Sequence, residues 1–162
     1  MTQDEQFEAD LDIDGYKNDV SDEEIRTHQR INQNFCGDVM KIEHGYVEVR
    51  LATTQDMQAD DIGLIHGGFI FSSADYAAML AVNEPNVVLV GSTCQFLSPV
   101  KIYDEVNMVA RVRHKEGRKR NVHVEGFVLD IKVFEGEFKT VITEKHVLKT
   151  RLLNDDEEVK VD

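Results

Sequence analysis

Proline occurs only twice in the 162 residues, at Pro85 and Pro99, and cysteine only twice, at Cys36 and Cys94. With so few prolines, no internal repeat and no linker-like stretch, nothing divides the chain, and one domain is expected. Two widely separated cysteines supply neither a disulfide framework nor a zinc spacing. The amino terminus has no basic segment followed by an apolar one, so no secretory signal is expected and the chain is expected to be cytoplasmic with free thiols. Membrane-length apolar runs are also missing: the nearest candidate, residues 62–82, contains His66 and Asp75 and has no basic flank, so no membrane span is expected.

Positive charge is scarce overall, with a formal net charge of −13, but the excess of acid is confined to the ends. Residues 1–24 hold ten acids against Lys17 and residues 154–162 hold five against Lys160, while residues 25–153 balance 16 acids with 16 bases. The expected organisation is therefore an acidic disordered tail over 1–24, a single domain over 25–153 and a second acidic tail over 154–162. The segment before the domain is too short and too acidic for a DNA-binding helix-turn-helix, and no nucleic-acid partner is expected.

Within the neutral region the apolar period changes along the chain. Ser21 with Glu24 fits a capping box, and Ile25, His28, Ile31 and Phe35 predict a short amphipathic helix ending at Gly37. Val47, Val49 and Leu51 alternate with Glu48 and Arg50, which predicts a strand paired through Gly45 with residues 38–44. Residues 67–82 are apolar on every side and stop at Asn83 and Pro85, so they predict a helix that must be surrounded. Strands follow at 87–96, 105–113, 121–131 and 133–147. The apolar phase switches at Gly126, which predicts a bulge or bend; Glu116-Gly117 predicts a turn, and Glu135-Gly136 either a turn or a bend within a strand. The class is α+β: a curled antiparallel sheet wrapped around one long central helix. Since one sheet cannot cover every face of that helix, dimerisation through paired sheets is expected.

Two features carry chemistry. If the helix starts at Gly67, its first N–H groups are unpaired and lie at the positive end of the helix dipole, ready to stabilise a carbonyl oxygen gaining charge. Asp75 places a carboxylate among Ala74, Ala77, Met79 and Leu80, a costly position unless it faces partners or a wet pocket. Nine residues separate His66 from Asp75, about 13.5 Å along the axis and on roughly opposite faces. If both serve one site, Asp75 comes from one subunit and the His66-Gly67 turn from another.

His66-Gly67-Gly68, the acid nine residues on, the buried helix and the later "FLSPVKIYDEV" segment resemble the hot-dog fold, specifically the HGG acyl-CoA thioesterases of the phenylacetate-pathway type. The resemblance covers about residues 31–147. It implies hydrolysis of an acyl-CoA or acyl carrier protein thioester in a homodimer or dimer of dimers, with no metal or redox cofactor. Gly67 would polarise the thioester carbonyl, Asp75 of the opposite subunit would attack or activate water, and His66 would fix the turn. Gly68, Asp60 and Ser72 would contact substrate, Asp60 standing where many of these enzymes have asparagine. The chain is also similar to the acyl-CoA-sensing hot-dog effector domain of a repressor of fatty-acid synthesis, which implies the alternative of acyl-CoA binding without catalysis.

Arg111, Arg113, Lys115, Arg118, Lys119 and Arg120 crowd the Glu116-Gly117 turn. They suit either the phosphates of coenzyme A, with Arg118 and Arg120 the first choices, or a solvated hairpin tip. His28, His44, His114, His123 and His146 show no metal-ligand spacing.

Overall fold

A computed structural model describes residues 23–150, so most of the expected amino-terminal tail, with Ser21, the last three residues of the expected 25–153 domain and the carboxy-terminal tail lie outside the described residues. Alternation is clearest along Tyr46–Ala52 and the first half of Glu105–Glu116, two strands of a six-stranded antiparallel sheet. The elements run α1 (Gln33–Cys36), β1 (Asp38–Glu43), β2 (Tyr46–Ala52), a 3₁₀ turn (Gln55–Met57), α2 (Gly67–Val82), β3 (Val87–Phe96), β4 (Glu105–Glu116), β5 (Lys119–Val128) and β6 (Ile131–Ile142). The strand order is β1-β2-β4-β5-β6-β3, and α2 packs along the concave face.

The side chains that meet α2 are the ones the period selects. Val47, Val49 and Leu51 on β2, Val106, Met108 and Ala110 on β4, and Val122 and Val124 on β5 are all buried. At Gly126 the register of β5 against β6 shifts, so the predicted bulge is present. A Cβ at Gly126 would lie 2.8 Å from Met108 Sδ, which is why the strand bends at glycine there. Gly117 turns the β4–β5 hairpin with φ +58°. Glu135-Gly136 lies inside β6, and the turn between β5 and β6 falls instead at Leu129-Asp130, where Leu129 takes φ +54°. An apolar, strand-forming residue in the left-handed region concealed that turn from a reading of the sequence.

The amphipathic helix expected before Gly37 is reduced to the four residues of α1. Asn83, the left-handed C-cap of α2, accepts a hydrogen bond from Arg26 N–H (2.8 Å) and donates through its amide to the Glu24 carbonyl (2.8 Å). These bonds hold residues 24–26 across the end of α2, and His28 then takes φ +54°, so no helix can run through the segment. Together with the sheet, this strap encloses the carboxy-terminal half of α2, where Tyr76 to Val82 are all buried. The amino-terminal half leaves a stripe open: Gly68 is exposed, and Phe71, Ser72 and Asp75 are half-buried. Among the described residues β3 pairs only with β6, so its outer edge has no strand beside it. No helix among the described residues is long and apolar enough to cross a membrane.

Gly37, between α1 and β1, has φ +103°, and a Cβ there would sit 2.7 Å from the Arg50 carbonyl oxygen. Gly37→Ala is expected to destabilise the chain by about 2–4 kcal/mol in urea unfolding. At Gly91, where a Cβ would meet only the Lys139 side chain at 3.8 Å, the same substitution should change stability by less than about 1 kcal/mol.

Candidate active site

The amino end of α2 is held by the loop before it. Ile65 N–H donates to the Val100 carbonyl (2.9 Å), His66 N–H to the Met57 carbonyl (2.9 Å) and Ala59 N–H to the Leu64 carbonyl (2.8 Å). Asp60 Oδ1 accepts from the N–H groups of Ile62 (2.9 Å), Gly63 (3.0 Å) and Leu64 (3.2 Å). Those bonds, the one from Leu64 foremost, lower the Asp60 pKa and keep it a carboxylate. Asp60 is thus the staple of this loop. An asparagine carbonyl could accept the same three bonds, so Asp60→Asn should preserve the loop, whereas Asp60→Ala should raise amide exchange at Ile62, Gly63 and Leu64 by about tenfold or more.

His66 is the N-cap with φ −62° and ψ 129°, and its side chain makes no capping bond. Among the described residues the Gly67 and Gly68 N–H groups have no hydrogen-bond partner, as expected for the first turn of a helix without a side-chain cap. The His66 ring lies over Gly68, where an added Cβ would be 3.1 Å from the imidazole, and meets the Phe69 ring edge-on at 6.2 Å between centroids. Gly67 opens onto an apolar cavity of about 210 Å³, lined by Leu64, Ile70, Phe96, Pro99 and Val133.

Asp75 lies two turns along α2. Its Oδ1 is buried and has no hydrogen-bond partner, and burial raises its pKa to about 6. Asp60 is not among the causes of that shift. The carboxylate borders a second cavity of about 490 Å³ with Thr27, His28, Met79, Leu89 and His146. The two cavities share no lining residue, and Gly67 and Asp75 border different ones. Ser72 is on the same open stripe as Gly68 and Asp75, with its hydroxyl 3.3 Å from Cys36 Sγ.

His28, expected on a helix face, is instead a wall of the Asp75 cavity. Its Nδ1 is hydrogen-bonded to Thr27 Oγ1 at 2.8 Å, and burial lowers its pKa. No spacing in the sequence links His28 to Asp75; the strap fastened by Asn83 brings them to the same cavity. Arg118 and Arg120 are elsewhere. Arg118 pairs with Glu144, and Arg120 Nη1 donates to the carbonyls of Gly117 (2.7 Å) and Lys119 (2.9 Å). Arg120 sits near Ala81 and Val82 at the far end of α2, and neither arginine lines the Gly67 or the Asp75 cavity.

Residues 62–135 match the thioesterase superfamily. Among solved structures, the uncharacterized protein PH1136 of Pyrococcus horikoshii is 44% identical with a TM-score of 0.77, covering 78% of this chain and 97% of that one. The PaaI protein of the phenylacetic acid degradation operon of E. coli is 25% identical with a TM-score of 0.62, covering 67% of this chain and 80% of that one. A methylthioribose-1-phosphate isomerase of Aquifex aeolicus is 58% identical over 118 residues, 73% of this chain but 26% of that protein. The transcription factor FapR of Staphylococcus aureus is 28% identical over 111 residues, 66% of this chain and 58% of FapR. The chain thus spans about a quarter of the first of these curated relatives and somewhat over half of the second.

Proposed function

Because this chain belongs to the hot-dog-fold thioesterase superfamily, we propose that it hydrolyses an acyl-CoA or acyl carrier protein thioester at a site shared by two subunits. The observation that carries this reading is the Asp75 carboxylate, half-buried with an unpartnered Oδ1 beside a cavity. A group so placed costs stability, and a buried base poised near neutral pH is what activation of water requires.

The thioester carbonyl oxygen accepts from Gly67 N–H, and the helix dipole stabilises the charge that develops there. The partner subunit's Asp75 takes a proton from water as the water oxygen bonds to the carbonyl carbon. Collapse of the tetrahedral intermediate breaks the C–S bond, and the proton passes to the departing thiolate. The products are a free acid and a thiol, with no redox cofactor in the step. Pairing of the free β3 edges, where Val90 is 61% exposed, would continue the sheet across two chains and set Asp75 of one against the α2 amino end of the other. The Arg118-Arg120 hairpin, at the opposite end of α2 from its own Gly67, is the cationic element that such a pairing could offer to coenzyme A phosphates.

A second reading, binding of acyl-CoA without hydrolysis, is favoured by the similarity to FapR. Thiol release from acetyl-, malonyl-, phenylacetyl- and longer-chain acyl-CoAs, with binding followed in parallel, separates the two. Release from at least one substrate supports the hydrolase; binding with no release from any of them selects the second reading.

A further inference from the structure

The opposite face of the sheet carries a group of side chains that the thioester site does not use. Val122, Val124 and Gly126 point toward α2, so His123 and Glu125 point away from it, and the β5–β6 register places His123 beside Glu137 and Glu125 beside Glu135. Although it is on the outer face, His123 is only 8% exposed. Its Nδ1 is hydrogen-bonded to a carboxylate oxygen of Glu137. An ionised carboxylate can only accept, so Nδ1 carries the hydrogen.

The other ring nitrogen then faces two further acceptors. His123 Nε2 is 3.2 Å from Glu135 Oε1 and 3.7 Å from Glu125 Oε1, and one ligand atom from each of the three residues lies within 4.8 Å of the others. A lone pair facing two carboxylate oxygens is repulsive, so either a proton or a metal cation stands between them. Lys132 does not fill that place: its Nζ binds the other oxygens, Glu125 Oε2 at 2.7 Å and Glu135 Oε2 at 3.4 Å. Arg111, the register partner of His123 on β4, lies over the Tyr46 ring at 4.9 Å.

We propose that His123 Nε2, Glu125 and Glu135 bind a divalent transition metal ion of the zinc class, with Glu137 as the positioning residue that orients the imidazole. A tetrahedral zinc ion with N and O ligands at about 2.0–2.1 Å holds neighbouring ligand atoms about 3.3 Å apart, and the separations of 3.2 and 3.7 Å bracket that edge. Charge agrees in sign: three glutamates against Lys132 and Arg111, which also acts on Glu125, sum to −1, so the cluster attracts a cation. A histidine donating its second nitrogen to a carboxylate is the usual outer shell of such ligands, fixing the tautomer and raising basicity. The ion would tie β5 to β6 beside the Gly126 bulge. This site is independent of the proposed hydrolysis.

The test is calorimetric titration of the untagged, chelator-treated full chain with Zn²⁺, and with Co²⁺ to read tetrahedral visible absorption bands. One ion per chain is expected, with affinity reduced at least about tenfold in Glu135→Gln and in His123→Gln and reduced about tenfold in Glu137→Gln. Glu135 is partly exposed (38%), so its variant tests the site even if His123→Gln fails to fold. Binding that survives both Glu135→Gln and Glu125→Gln would overturn the proposal by locating the ion elsewhere. Failure to bind either metal at about 100 µM would overturn it equally, and a proton would then occupy the place between Nε2 and the glutamates.

Discussion

Asp75→Asn is expected to release thiol roughly a hundredfold or more slowly than the wild-type chain while keeping acyl-CoA affinity within a few-fold. The amide preserves shape but cannot take a proton from water. Since burial raises the Asp75 pKa from 3.8 to about 6, the wild-type rate should climb as pH rises through about 6, where the active carboxylate forms. Stability should move the other way. The folded chain holds the Asp75 proton more tightly than the unfolded one, so this contribution is fully present below about pH 3.8 and lost as pH rises through about 6. At pH 8 the asparagine variant is therefore expected to be more stable than wild type, by on the order of 1–3 kcal/mol, with the difference vanishing near pH 4. Urea unfolding at the two pH values and one protein concentration measures it. A slower and more stable variant is the mark of a carboxylate retained for chemistry.

Gly67→Pro should have an effect of similar size for a different reason. Gly67 is the first residue of α2, the position at which proline is best tolerated, because the N–H it removes has no helical partner. His66 already has ψ 129°, the extended conformation that a following proline demands. The substitution therefore deletes one N–H from an otherwise intact helix, and a loss of about 10²–10³ in thiol release is expected. Gly67→Ala is the control: its Cβ meets only the Phe96 ring, at 3.4 Å, and it keeps the N–H, so activity should stay within about tenfold of wild type.

Where local period and tertiary packing agree, the fold was legible in the sequence. Residues 67–82 are apolar all round and end at an asparagine that takes the left-handed C-cap conformation, so both ends of α2 were evident. Strict alternation in β2 and β4 and the phase switch at Gly126 were equally plain. What escaped depends on contacts between distant residues. Residues 25–31 have helical spacing, yet the Asn83 side chain claims the backbone at Glu24 and Arg26. Asp60 could not be read as a loop staple, because three N–H groups converge on one oxygen only after the loop has closed. His28 reaches the Asp75 cavity through that same strap. His123 and its glutamates have no ligand spacing along the chain, since the β5–β6 register assembles them. Gly67 and Asp75, eight residues apart on α2, border separate cavities of one chain.

That separation makes subunit mixing the most direct measurement. Asp75→Asn and Gly67→Pro chains, each nearly inactive alone, are co-refolded in equal amounts and assayed for thiol release. If Gly67 of one chain works with Asp75 of the other, half the dimers are mixed and each contains one intact site, so about a quarter of wild-type activity should return. A mixture no more active than its two parents would place both groups in the service of a single chain, or of no hydrolysis at all, and would contradict the shared site.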